Sequence, residues 1–156
     1  MKILIIDDNK ENLYLLETLL KGNGYKVVLA MNGAEGLKKL GAESFDMIIS
    51  DILMPVMDGF QFCRVVKKND KLKDIPFVFY TAEYTDEKDE ELALKVGADK
   101  FIQKPIEPDK FIKIIQGVVK SIKKGKIEPR VTALELEDEK EIYKLYSVRL
   151  VKKLVK

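Results

Sequence analysis

At 156 residues, with 46% hydrophobic and 35% charged side chains, the chain has the balance of one globular domain plus a modest extension, long enough to bury a core. The net charge of +2 hides an asymmetry: residues 1–119 carry 17 basic against 20 acidic side chains, residues 120–156 carry 11 against 6. Histidine is absent and Cys63 is the single cysteine, which excludes imidazole catalysis, histidine metal ligands, a phosphohistidine on this chain and an intramolecular disulfide.

The first strand is predicted over Lys2 to Ile6, a short β-branched apolar run that stops at Asp7-Asp8-Asn9. That stop comes too early for a signal-peptide core, and no later apolar run approaches a membrane span, so a cytoplasmic protein is expected. Lys10 to Lys21 places Leu13, Leu16, Leu19 and Leu20 at helical spacing, with Asp8 or Asn9 as cap and Gly22-Asn23-Gly24 as stop. Tyr25 to Ala30 is the second strand, and Asn32-Gly33 turns it into a helix holding Ala34, Leu37 and Leu40 that ends near Gly41.

Phe45 to Asp51 is the third strand, apolar on both alternating faces until it delivers Asp51 to the Pro- and Gly-punctuated loop Met54-Pro55-Val56-Met57-Asp58-Gly59. Phe60 to Lys68 then forms a helix with Phe60, Cys63 and Val66 inward, Cys63 serving as a small buried hydrophobe. Phe77 to Tyr80 is the fourth strand, followed by Thr81; a helix capped by Thr85 runs to about Val96 and closes at Gly97. Asp99 to Ile102 is the fifth strand, Lys104 lies just beyond it, and Pro108 opens a last helix reaching Ser121 or Lys124. Strict βα alternation with short connections predicts an α/β fold, a doubly wound five-stranded parallel sheet covered by helices on both faces. The domain is expected to occupy residues 1–124, with a linker over 125–132 and a C-terminal helix over 133–156. That helix, apolar on broad faces but without a continuous heptad, reads as the start of a signalling helix to a further module, and its unpunctuated end at Lys156 suggests that the natural protein continues.

Ligands of open α/β sheets bind at the carboxyl ends of the strands, and four strands here present polar residues at that edge: Asp7-Asp8, Asp51, Thr81 and Lys104. Three carboxylates close together repel, since unit charges about 4 Å apart at an effective dielectric near 20 oppose one another by roughly 4 kcal/mol. A divalent cation relieves that repulsion, and with only oxygen ligands offered Mg²⁺ is the expected occupant. Lys104 adds a positive charge and Thr81 a hydroxyl, which together make a site for a transferring phosphoryl group. Asp51, the lone carboxylate of the central strand, is the candidate nucleophile, and Asp7 and Asp8 are candidate metal holders. A turn or helix cap would account for one of these carboxylates but leave the others unexplained.

These residues carry a resemblance. Asp7-Asp8, Asp51 with Met54 to Gly59, Thr81-Ala82, Gly97-Ala98-Asp99 and Lys104-Pro105 together resemble the response-regulator receiver domain of two-component signalling, over residues 2 to 120. The resemblance implies a flavodoxin-like (βα)5 fold that takes phosphoryl onto Asp51 from a histidine kinase or histidine phosphotransfer protein, catalysing its own phosphorylation and dephosphorylation. It implies Mg²⁺, with Mn²⁺ an expected substitute, bound by Asp8, Asp51 and the Leu53 backbone carbonyl, Asp7 acting largely through water. Thr81 and Lys104 would contact phosphoryl oxygens, Lys104-Pro105 would be a cis peptide, and Thr81 and Phe101 would form the switch. The output face would be the fourth helix, fifth strand and last helix, a surface that, like the C-terminal helix, could also form a homodimer. Leu53 and Glu83 flank the chemistry and would affect how water reaches the phosphoryl group.

Competing readings fit less well. A haloacid-dehalogenase-like phosphatase wants a general acid two positions after the nucleophile, where this chain has Leu53. Flavin or nucleotide binding wants a Gly- or Ser/Thr-rich loop after the first strand, where Asp7-Asp8-Asn9 would repel phosphate. A non-phosphorylatable scaffold would not need the intact set. The segment after the linker is about one helix with interleaved charge, too short for a helix-turn-helix, so specific nucleic-acid binding is not expected.

Overall fold

The computed structural model describes residues 1–82 and 87–123. Expectations for Glu83, for Thr85 as a cap, and for the linker and C-terminal helix lie outside the described residues. Among the described residues five strands and five helices alternate: β1 (Lys2–Ile6), α1 (Lys10–Gly22), β2 (Lys26–Ala30), α2 (Gly33–Ala42), β3 (Met47–Ser50), α3 (Gly59–Lys68), β4 (Phe77–Thr81), α4 (Glu87–Lys95), β5 (Lys100–Gln103) and α5 (Pro108–Lys123). All neighbouring strands pair in parallel, in the order β2-β1-β3-β4-β5. The predicted doubly wound sheet is therefore present, and the order reverses beside β1, where such sheets open a cleft.

Alternation along the strands divides the core in two. Leu4, Ile6, Ile48, Phe77 and Phe79 face α2, α3 and α4, packing on Leu40, Phe60, Phe62, Cys63, Val66 and Leu92. Ile3, Ile5, Met47, Ile49 and Val78 face α1 and α5, packing on Leu13, Leu16, Leu20, Phe111 and Ile115. Because both faces are covered, β1 after Lys2 and β3 up to Ser50 are apolar at every position and lack the alternation of a half-exposed strand.

Helix starts follow local chemistry. The Asn9 side chain accepts from Asn12 N, that of Asn32 from Glu35 N and that of Asp58 from Gln61 N, each satisfying an orphan donor of a first turn. Asn9 is thus the cap of α1, which leaves Asp7 and Asp8 for other work. Gly59 is required by close approach: a Cβ there would lie 2.2 Å from the Asp51 carbonyl oxygen. Only glycine lets α3 begin so tightly against the end of β3, and this fixes the loop that carries Leu53 and Met54.

Candidate functional site

The strand ends assemble one acidic cleft. Carboxylate oxygens of Asp7, Asp8 and Asp51 lie within 4.8 Å of one another. Asp7 and Asp8 arrive at the end of β1 and Asp51 at the end of the adjacent β3, where Asp51 N donates to Ile6 O at 2.9 Å and locks the two ends together. The surrounding cleft, about 410 Å³, is also lined by Asn12, Leu53 and Pro55.

Each carboxylate is held differently. Asp7, 2% exposed, accepts from Asn9 N at 2.9 Å and from Asn12 Nδ2 at 3.3 Å, and its Oδ2 lies 3.1 Å from Lys104 Nζ. Asp51 Oδ1 accepts from Ile52 N at 2.8 Å, while its Oδ2 lies 4.0 Å from Lys104 Nζ and its carboxylate takes a hydrogen bond from the Thr81 hydroxyl. Asp8 stands exposed at the rim.

Burial pushes the Asp51 carboxyl above the usual carboxylate range, and the Asp7 charge adds to that; Lys104, the Thr81 hydroxyl and Ile52 N pull the other way. Asp8 is raised as well, first by burial and then by the neighbouring charge of Asp7. Both shifts come first from burial, and the charge of Asp7 adds to each. An all-oxygen donor set of this kind suits a hard divalent cation, which favours the ionised carboxylates it binds.

Lys104 reaches the cleft from β5. Its N donates to Thr81 O at 2.9 Å, and the Lys104–Pro105 peptide is cis. Thr81 is fully buried at the end of β4, and Phe101, half-buried opposite Phe79, packs on the edge of the α3 core and lines a groove of about 650 Å³ with Leu94 and Lys110. Asp7, Asp8, Asp51, Thr81 and Lys104 thus meet, Leu53 borders the cleft, and Phe101 stands off on β5.

The sequence matches the family model for the response regulator receiver domain over residues 3–116. This chain belongs to that family. The receiver is 36% identical over 107 residues to the alkaline phosphatase synthesis transcriptional regulatory protein PhoP of Bacillus subtilis, covering 69% of this chain and 43% of that one. It superposes on chemotaxis response regulator CheY4 of Vibrio cholerae with a TM-score of 0.71 at 35% identity, covering 75% of this chain and 97% of that one. The receiver domain of a sensor histidine kinase from Pseudomonas aeruginosa, solved with a magnesium ion coordinated in its active-site cleft, gives 0.70 at 27% identity, covering 77% and 98%. The receiver spans about half the length of the curated regulators it matches first, between 43% and 59%. Among the described residues, no helix is long and apolar enough to cross a membrane.

Two residues at the site escape a strand-end reading. Asn12 supports Asp7 from the first turn of α1, three positions after its cap. Tyr80 lies with its ring beneath the Lys104 ammonium, 4.9 Å from centroid to Nζ. The signal for Asn12 is an amide in a first helical turn beside a strand-end carboxylate. Tyr80 gives no such signal, because a strand aromatic is ordinarily core.

Proposed function

We propose that the receiver accepts a phosphoryl group on Asp51 from the phosphohistidine of a histidine kinase or phosphotransfer protein. The observation that carries this reading is the convergence of three carboxylates within 4.8 Å on a single lysine, with Asp51 the one delivered from the central strand. An Asp51 carboxylate oxygen bonds to phosphorus as the donor's N–P bond breaks, and the imidazole leaves with that electron pair. Asp8, Asp51 and the Leu53 carbonyl would hold Mg²⁺, with Asp7 behind them; Mn²⁺ offers similar oxygen chemistry. The bound metal would supply positive charge to the phosphoryl oxygens. Lys104 neutralises a second side of the group, the Thr81 hydroxyl donates to a phosphoryl oxygen, and Asn12 keeps Asp7 oriented.

Once Asp51 is phosphorylated, Thr81 turns to the new oxygens and Phe101 takes up the space released. That favours one of two arrangements of α4, β5 and α5. Output then passes through that face, to a further module or a second copy of the chain, in a protein working in the cytoplasm. The names of several relatives speak of transcriptional regulation; for this chain we propose signalling without specific DNA binding of its own.

The test is intact mass after incubation with Mg²⁺ and acetyl phosphate, beside Asp51→Asn and an EDTA control. One phosphoryl adduct that needs both the metal and Asp51 is the expected result. No adduct, with acetyl phosphate or with a competent phosphohistidine donor, would leave the chain as a scaffold.

A further inference from the structure

Tyr80 is the cleft neighbour to which the phosphoacceptor reading gives no task. It is paired with Ile102 of β5 and stands one residue before Thr81. Strand alternation sends Thr81 to the side of Phe79 and Tyr80 to the side of Val78, where α5 lies. There its ring packs at 4.8 Å and a 35° tilt against Phe111, itself 1% exposed. A buried aromatic therefore backs the Tyr80 ring and fixes its plane.

Lys104 Nζ sits 4.9 Å from that ring centroid, 3.1 Å from Asp7 Oδ2 and 4.0 Å from Asp51 Oδ2. Separations below about 6 Å bring an ammonium within reach of the negative face of an aromatic ring, more strongly where water is partly excluded. The Lys104 side chain is 16% exposed, so water is mostly excluded here. Lysine is a compact charge on a flexible four-carbon stem, and here its main-chain N donates to Thr81 O. The carboxylates alone would let the head group swing with whichever of them is free.

We propose that Tyr80 is a positioning residue for Lys104: its ring face, backed by Phe111, holds the ammonium between Asp7 and Asp51, ready for a phosphoryl oxygen at Asp51. The contact itself stands on the geometry, and its consequence for rate rests on the phosphoacceptor reading above.

Two measurements on the full chain test it. Ring current should displace the Lys104 ε-CH₂ proton resonances upfield in the wild type and in Tyr80→Phe, and the displacement should vanish in Tyr80→Leu. With acetyl phosphate at saturating Mg²⁺, Tyr80→Leu should be phosphorylated about three- to tenfold more slowly, and Tyr80→Phe should recover most of that loss. Phenylalanines carrying one, two and three ring fluorines at position 80 keep the shape of the ring while draining its negative face. A stepwise fall in rate along that series supports positioning through the ring face, since packing alone would leave it flat. A flat series, or a Lys104 resonance unmoved in Tyr80→Leu, overturns the proposal while the wild-type adduct stands. Absence of an adduct in the wild type removes the phosphoacceptor reading and the positioning role with it.

Discussion

The receiver buries two lysine–carboxylate groups at opposite ends of its sheet, and they are built in opposite ways. At the amino-terminal edge Lys67 Nζ donates to Lys73 O at 3.0 Å and Ile75 O at 2.9 Å and pairs with Asp99 Oδ2 at 3.4 Å. Asp99 Oδ2 also accepts from Phe77 N at 2.8 Å. Three ammonium protons meet three acceptors, and one cation meets one anion. At the carboxyl edge Lys104 pairs with Asp7 and Asp51, two of a cluster of three carboxylates. The closed group ties α3 to the starts of β4 and β5; the open one is short of positive charge and can use a ligand to supply it. Identical residue types therefore serve stability or chemistry according to whether their charges and donors balance.

The largest effect expected from breaking this contrast is Lys67→Met. It leaves Asp99 buried without its cation and two carbonyls without a donor, and should cost about 3–5 kcal/mol in urea unfolding, with or without Mg²⁺. Lys104→Met should cost less than half of that, because its partners lie beside an open cleft, and the deficit should shrink when Mg²⁺ is added. Equal losses at the two lysines, both blind to the metal, would erase the distinction.

How visible each end was in the sequence follows from the same contrast. Strand-end carboxylates announce themselves locally: Asp7-Asp8 and Asp51 each terminate an apolar run, so sheet, helices and cleft could all be placed from periodicity with boundaries shifted by a residue or two. α3 begins one residue earlier than its pattern suggests, at Gly59, whose N donates to Ile52 O, a contact no pattern reports. The Lys67–Asp99 pair is different. Its partners are 32 positions apart, and Lys67 next to Lys68 reads as a solvated pair. The available signal was its place seven residues after Phe60, on the buried stripe of α3 that also holds Cys63. Tyr80 was hidden for a related reason, since its partner Lys104 lies just past the end of β5.

A next-largest effect should come from the metal. A ligand that binds only the folded state stabilises it by about 2.7 kcal/mol at a hundredfold its dissociation constant, so Mg²⁺ at that excess should raise the unfolding free energy of the wild type by that amount. Asp8→Asn should lose most of the gain. Retention of the whole gain in Asp8→Asn would move the cation away from the acidic cleft.

Acid sharpens the comparison further, with a smaller effect. The Asp51 carboxyl is raised in the folded state, chiefly by burial. The folded protein therefore holds this proton more tightly than the unfolded chain does. Its contribution to stability is fully present below the unfolded value, near 3.8, and is lost as pH rises through the higher folded value. Without metal, Asp51→Asn should thus be more stable than the wild type at neutral pH, and the gap should close as pH falls toward about 4. Urea titrations of both proteins across that range check the sign. A gap that widens on acidification would mean that the cleft already satisfies Asp51.

Backbone strain follows the same division, and yields the smallest of these effects. At the Lys67 end the left-handed positions belong to glycines, Gly24 with φ 89° and Gly97 with φ 110°, and at Gly97 a Cβ would come within 2.8 Å of Lys67 Cγ. At the cleft end such a position belongs to a β-branched residue: Val56 has φ 69° and is 82% exposed, in a tight turn closed by Met57 N donating to Pro55 O at 2.7 Å. Little side-chain burial offsets that conformation, which costs a non-glycine residue about 1–3 kcal/mol. Glycine would relieve it while giving back about 0.5–1 kcal/mol through a more flexible unfolded chain. Val56→Gly should therefore stabilise the receiver by about 1 kcal/mol, read as a higher urea midpoint at unchanged slope. The turn borders the cleft through Pro55 and is pinned by Gly33 N donating to Met57 O at 3.1 Å. If the midpoint rises while the phosphorylation rate falls, the strain at Val56 serves the open end; if the rate holds, the turn is a cost the fold merely tolerates.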